Sequence, residues 1–167
     1  MGTLILAVTA LFLYSVGTAL QALHFRGRVQ SNLAITTLIG ILALIAHGLL
    51  IAQTVHMDGG FDLSFFKSSV LISWLIVFLL LGLNLTKPVA SLFLGAYPIA
   101  ALTIVMTLIT QTPSRLAPDQ SYGMLSHIAL SVTAYSLFTL AAIQAVLLYF
   151  QNRQLKHNYN SLLVRNL

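Results

Sequence analysis

The chain has 167 residues, of which 58% are hydrophobic and only 7% are charged. Soluble domains carry about 25% charged residues, so this composition excludes a water-soluble globule and predicts a protein whose solvent is lipid. The absence of cysteine excludes disulfides, thiolate metal sites and covalent cofactor attachment through the chain's own thiols. The net charge of +5 lies in short clusters between apolar runs, which predicts a membrane topology and no nucleic-acid partner.

Five apolar stretches are each long enough to cross a bilayer, which takes about 20 residues. The sequence therefore predicts an all-α fold, a polytopic membrane bundle of five transmembrane helices that forms a single domain over residues 1–167. The fifth stretch is the longest, so we expect it to tilt or to project beyond the bilayer. The predicted spans are about 3–23, 33–53, 66–85, 89–110 and 124–150.

The basic residues set the expected orientation, because cytoplasmic segments are enriched in Lys and Arg. With the first loop, the third loop and the C-terminal tail inside, six of the eight basic residues are cytoplasmic and all three aspartates lie outside. This arrangement predicts an N-terminus outside and a C-terminus in the cytoplasm. The six residues are Arg26, Arg28, Lys87, Arg153, Lys156 and Arg165.

Glycine and proline mark the expected breaks. Asp58-Gly59-Gly60 predicts a flexible turn between spans two and three. Pro88 suits the first turn of span four, where a missing N–H costs little. Pro98 falls inside span four and predicts a kink whose freed carbonyl must be satisfied by neighbouring helices.

Two histidines are the main candidates for chemistry, because ionisable groups inside a membrane are costly to retain. His47 lies in the expected outer half of span two, about 9 Å from the helix end, and His127 opens span five near the same outer surface. Two imidazoles at one face can ligate one heme iron. A packing role for His47 and a solvated helix-end role for His127 are the alternatives. His24, His56 and His157 are weaker candidates at the membrane ends.

Other polar and aromatic residues extend the list. His127, Ser131 and Tyr135 recur every four residues along one face of span five, and we expect that face to meet protein or a cavity. It predicts a packing interface rather than a proton relay, since no mid-membrane Asp or Glu is present. Trp74, the only tryptophan, suits core or lipid packing, with heme stacking as the alternative.

Several strings carry a family resemblance. They are Ala46-His47-Gly48-Leu49-Leu50, Ile72-Ser73-Trp74-Leu75, Lys87-Pro88-Val89, Tyr97-Pro98, Ser126-His127-Ile128-Ala129-Leu130-Ser131-Val132-Thr133-Ala134-Tyr135-Ser136 and Gln151-Asn152-Arg153-Gln154-Leu155-Lys156-His157. Together they resemble the N-terminal part of the cytochrome c assembly (CcsA/CcmC-like) membrane proteins, in particular the HemX/YpjD-type inner-membrane branch. The resemblance covers nearly the whole chain.

The resemblance implies a bacterial inner-membrane, multi-pass protein that handles heme during cytochrome c biogenesis. By position it makes His127 the family histidine that opens a helix at the outer face, and it matches His47 to a histidine that recurs in the HemX/YpjD-type branch. Tyr135 and Trp74 complete the heme-binding candidates, on the strength of their own positions in spans five and three. Two features depart from the family: no tryptophan-rich segment is present, and relatives usually continue with further spans. The chain is therefore expected to be a truncated member or one part of a split protein.

The sequence is consistent with three functions. The first is a non-catalytic heme-handling protein whose heme iron is ligated by His47 and His127 and whose partners are lipid and other cytochrome c maturation subunits. The second is a structural helical subunit of a larger membrane complex, with histidines that only pack. A transporter is weaker, since no inverted repeat is visible. We expect no enzyme, because glycine-rich phosphate loops, paired carboxylates and zinc motifs are missing.

Overall fold

The computed structural model describes residues 2–26, 33–57, 60–87, 89–110, 116–117 and 121–157. Five helices in this part are long and apolar enough to cross a membrane, so the predicted five-helix bundle is confirmed. Asp58, Gly59 and Pro88, which carry two of the predicted turns, lie outside the described residues. The helices are α1 (Gly2–Phe25), α2 (Leu33–Val55), α3 (Phe65–Asn84), α4 (Phe93–Ile109, after a 3₁₀ turn at Ala90–Leu92) and α5 (Tyr122–His157).

The helices alternate in direction along the chain. A Cβ on Gly2 would lie 3.6 Å from the side chain of Gln53, near the end of α2. The Ser73 and Thr103 hydroxyls, on α3 and α4, are 2.7 Å apart. The bundle therefore has two ends: the Gly2 end, where α1, α3 and α5 begin, and the Phe25 end, where those three helices finish.

The core lies among α1, α2, α3 and α4, where small and large side chains alternate. Ala10, Ala43 and Ala100 have no exposed surface, and they let neighbouring backbones approach closely. Tyr97 is 2% exposed and fills the space between the helices. Pro98 lies inside α4, as predicted, and its ring is exposed on the outer side of the bundle.

α5 is the least covered helix. It packs mainly against α3. Only 6% of its apolar membrane-spanning stretch is buried inside the bundle, compared with 22% to 33% in the other four helices. It is 36 residues long, which corresponds to about 54 Å of helix. The Ser136 hydroxyl bonds to the Ile72 carbonyl, so α5 begins about seven residues before α3 and ends about nine residues beyond it. Its last turns therefore project past the Phe25 end, in agreement with the predicted projection.

Two loops meet at the Gly2 end in a small antiparallel sheet that sequence reasoning did not predict. Its strands are β1 (His56–Met57), β2 (Gly60–Asp62) and β3 (Leu116–Ala117), in the order β1-β2-β3. The connections α2–α3 and α4–α5 emerge side by side, so their extended backbones satisfy one another's hydrogen bonds. The sheet adds to the helical bundle and does not change its class.

Candidate functional site

His47 lies at the centre of the bundle, in the interface between α1 and α2. Its side chain has no exposed surface, and its Nδ1 is 3.0 Å from the Tyr14 hydroxyl, which is equally buried. The other ring nitrogen, Nε2, has no hydrogen-bond partner among the described residues. In the tautomer that protonates Nδ1, this nitrogen donates to Tyr14 and the lone pair of Nε2 is free to bind a metal or a donor.

Tyr14 belongs to an aromatic group that reaches α4. The Tyr14 ring packs at 5.3 Å from the Tyr97 ring, which in turn lies 4.9 Å from Phe93. Two glycines make room for Tyr97: a Cβ on Gly17 would lie 2.7 Å from the ring, and one on Gly40 would lie 2.5 Å from the hydroxyl oxygen. His47 therefore lies in a tightly packed core whose spacing depends on missing side chains.

Trp74 is used in packing between α3 and α2. Its Nε1 donates a hydrogen bond of 3.0 Å to the carbonyl of Leu44, and its ring stacks on Phe78 at 5.5 Å. A Cβ on Gly48 would lie 3.0 Å from the same nitrogen, so Gly48 gives the indole its place. These contacts agree with the expected packing role of Trp74, and heme stacking by Trp74 stays an alternative prediction.

His127 and Tyr135 face away from the bundle. His127 is exposed in the second turn of α5, and Tyr135 is 62% exposed. The side chain that meets the bundle is Ser136, whose hydroxyl donates to the Ile72 carbonyl at 3.2 Å. The expectation that the His127–Tyr135 face meets protein or a cavity is therefore wrong within this chain, because the packed face of α5 is turned by about one residue, or 100°.

The structure does not bring His47 and His127 together. The Ser136–Ile72 bond sets the register of α5 against α3 and places His127 level with the residues just before α3. Trp74 lies beside Leu44 and Gly48, so His47 is level with the middle of α3. The two histidines are separated along the bundle by about ten residues of helix, or ~15 Å, and they sit on helices whose main neighbours differ.

The sequence comparison decides the family. A family model described as "Cytochrome C assembly protein" matches residues 35–166, which is most of the chain. The chain belongs to the cytochrome c assembly protein family. No curated protein and no solved structure matches the chain. The family is associated with heme handling, so the candidate residues can be tested against that group.

Heme fits the two histidines differently. At His47 the chemistry is suitable, because Tyr14 orients the ring through one nitrogen and leaves the other without a partner. The available space is unsuitable, because the imidazole is fully buried among packed helices. A flat porphyrin could reach it only if those helices separated. At His127 the imidazole is exposed and reachable, and any walls around a porphyrin would come from outside the described bundle.

Sequence reasoning missed three groups of polar residues in the bundle. Tyr14 was overlooked because a tyrosine in an apolar run carries no signal of its partner. Buried Gln21 keeps its side-chain oxygen without a partner in the described part of the chain. The buried Asp62 forms a 2.6 Å ion pair with Lys67, five residues later in the sequence, a spacing that could have suggested a pair at a helix start.

Proposed function

We propose that this cytochrome c assembly family protein handles heme in the membrane without catalysis of its own, and that His127 is its accessible iron ligand. The observation that supports the proposal most directly is the exposed imidazole of His127 at the Gly2 end of α5, in a chain of this family. The distribution of basic residues supports an orientation in which that end faces outwards, and we place the chain in a bacterial inner membrane.

The chemistry required of His127 is modest. A neutral imidazole binds heme iron through one nitrogen, and a second axial ligand completes the coordination. Since His47 lies about 15 Å deeper along the bundle, the second ligand is proposed to come from outside the described residues. Tyr135, eight residues or ~12 Å further along α5, offers an exposed aromatic edge on the same side of the helix.

His47 has a different part in this proposal. Its bond to Tyr14 joins α1 to α2, and the pair stabilises the helices that support α5 through α3. Direct iron ligation by His47 requires the helices packed around it to separate, because its side chain is fully buried, so it is the less favoured ligand of the two. Substitution of each histidine separately can distinguish His127 as the iron ligand from His47 as the iron ligand.

The deciding experiment is a hemin titration of the detergent-purified chain, followed by its absorption spectrum. We expect a Soret band that is lost in His127→Ala and retained in His47→Ala, provided that the latter variant keeps its helical circular dichroism. His24→Ala is the matched control, because His24 lies at the Phe25 end of α1. An unchanged spectrum for His127→Ala, or a chain that ignores hemin, would overturn the proposal.

A second function is favoured by the exposure of α5. Only 6% of the apolar stretch of α5 is buried, so this helix can serve as a docking surface for other membrane subunits. The polar side chain of Gln144 is exposed on the same helix. In that case the histidines only pack. Two results together would support this second function: a stable partner that co-purifies from native membranes, and full function in a chain that carries both His47→Ala and His127→Ala.

A further inference from the structure

A cavity of about 180 Å³ opens between the start of α4 and the second half of α5, at the Phe25 end of the bundle. One ordered water needs about 10–15 Å³ of such space, so the cavity is roughly tenfold larger than a single water requires. Its apolar wall is formed by Leu92 and Leu147, and its polar wall by Ser91, Gln144 and Gln151.

The three polar side chains form no hydrogen bond with other described residues. Gln144 and Gln151 are two helical turns apart on one face of α5, ~10 Å from each other along the axis. By the register of α5 on α3, Gln144 is level with Leu80 and Leu81, about one turn inside the last residue of α3. An amide at that depth is costly without a partner, so a ligand must supply one.

The charge around the cavity is positive. Exposed Lys87 precedes the cavity residue Val89 by two positions, and exposed Arg153 follows Gln151 by two. The sequence has no glutamate, and its three aspartates all belong to the segments that connect helices at the opposite end. Lys87 and Arg153 therefore have no acidic side chain at this end to balance their charge, and they would attract an anionic group.

We infer that this cavity binds the headgroup of an anionic phospholipid. Ser91 and Gln151 lie near the level where α3 ends, and they donate to phosphate oxygens. Gln144 lies deeper and donates to a glycerol ester carbonyl, while the acyl chains cover Leu92 and Leu147. Lys87 and Arg153 supply the attraction for the phosphate charge, as basic segments do at the membrane surface.

A lipid suits the site better than free phosphate or a partner helix. The polar groups extend from the headgroup level into the hydrocarbon, so the ligand must be polar at one end and apolar at the other. Free phosphate would leave Gln144 without a partner. A partner helix would offer no reason for the two flanking cations, since it would have to bring its own anion into the membrane.

The test is native mass spectrometry of the chain released from nanodiscs that contain equal amounts of phosphatidylglycerol and phosphatidylcholine. We expect retained phosphatidylglycerol adducts, reduced about tenfold in a Gln144→Leu/Gln151→Leu variant because two hydrogen bonds are lost. Lys87→Gln with Arg153→Gln should remove the preference for the anionic lipid. Gln53→Leu, which changes an exposed glutamine at the other end, is the matched control.

Several results would overturn the inference. They are equal retention of the two lipids, no lipid adduct at all, or undiminished phosphatidylglycerol in the double glutamine variant with wild-type circular dichroism. Displacement of the lipid by millimolar inorganic phosphate would assign the site to free phosphate. A co-purifying protein that occupies the cavity would assign it to a partner helix. None of these outcomes changes the hemin titration, so the two proposals fail separately.

Discussion

The Tyr14 hydroxyl lies 3.0 Å from Nδ1 of His47, and both side chains are completely buried. This contact is a polar link between α1 and α2 at mid-membrane depth, where water is not available as a substitute partner. It fixes the orientation of the imidazole and leaves Nε2 as its unpartnered atom. The stability of the first two helices and the chemistry available at His47 therefore depend on the same bond.

Removal of that bond should weaken the bundle. We expect Tyr14→Phe to lower the free energy of unfolding by about 1 kcal/mol, since single polar contacts between membrane helices contribute about that much. His47→Ala should cost more, about 2 kcal/mol, because it also leaves a cavity in the core. The measurement is thermal or denaturant unfolding of the purified chain, followed by circular dichroism.

Ser15→Ala is the control for this pair. Ser15 neighbours Tyr14 but is exposed, and its hydroxyl donates only to the Leu11 carbonyl of its own helix. Unfolding of this variant should match the wild type. If Tyr14→Phe were as stable as Ser15→Ala, the contact between Tyr14 and His47 would have no energetic role.

The helices could be predicted because hydropathy is a local property of the sequence. Contacts between helices could not be predicted, since apolar residues occur on every face of α1 and α2 and no pattern marks the face that buries Tyr14 or His47. Span five is an example. The spacing of His127, Ser131 and Tyr135 correctly predicted a helix, but it predicted the wrong packed face, because Ser136 is the residue that contacts α3. The small sheet was missed because β1 and β3 belong to loops far apart in sequence.

Close packing at Tyr97 predicts intolerance to one methyl group. Gly40→Ala would place Cβ 2.5 Å from the Tyr97 hydroxyl oxygen, so we expect a loss of about 1–3 kcal/mol in unfolding free energy. Tyr97→Phe removes that oxygen and should restore part of the loss when the two changes are combined. Gly82→Ala is the matched control, because a Cβ there meets nothing within 4 Å.

The two glycines should thus respond in opposite directions. Alanine is the better helix former by about 1 kcal/mol, so Gly82→Ala should be neutral or stabilising. Equal effects at the two positions, or no recovery by Tyr97→Phe, would mean that the Tyr97 hydroxyl does not limit the approach of α2 and α4.

The ion pair at the Gly2 end should hold the loop sheet on the bundle. Asp62 is fully buried, bonds to Lys67 Nζ at 2.6 Å and accepts the Ser64 N–H at 3.0 Å. Asp62→Asn leaves Lys67, whose side chain is only 14% exposed, without its counter-charge. We expect a cost of about 1–3 kcal/mol, between the values for surface and buried pairs.

The partner substitution separates the charge effect from packing. Lys67→Met should be tolerated worse in the wild type than in the Asp62→Asn background, because in the wild type it leaves a buried carboxylate unpaired. Hydrogen exchange of the β2 amides should rise in both single variants. Additive losses in the double variant would show that the two side chains are not energetically coupled.

Orientation is open to a direct measurement, because the chain has no cysteine of its own. Thr86 is exposed just after α3, and Tyr122 is 92% exposed at the start of α5. With single changes Tyr122→Cys and Thr86→Cys, a membrane-impermeant maleimide added to intact cells should label the first and spare the second. Both should react after the membrane is opened. The reverse pattern would place the Gly2 end and His127 in the cytoplasm, and the proposed outer heme ligand would have to be abandoned.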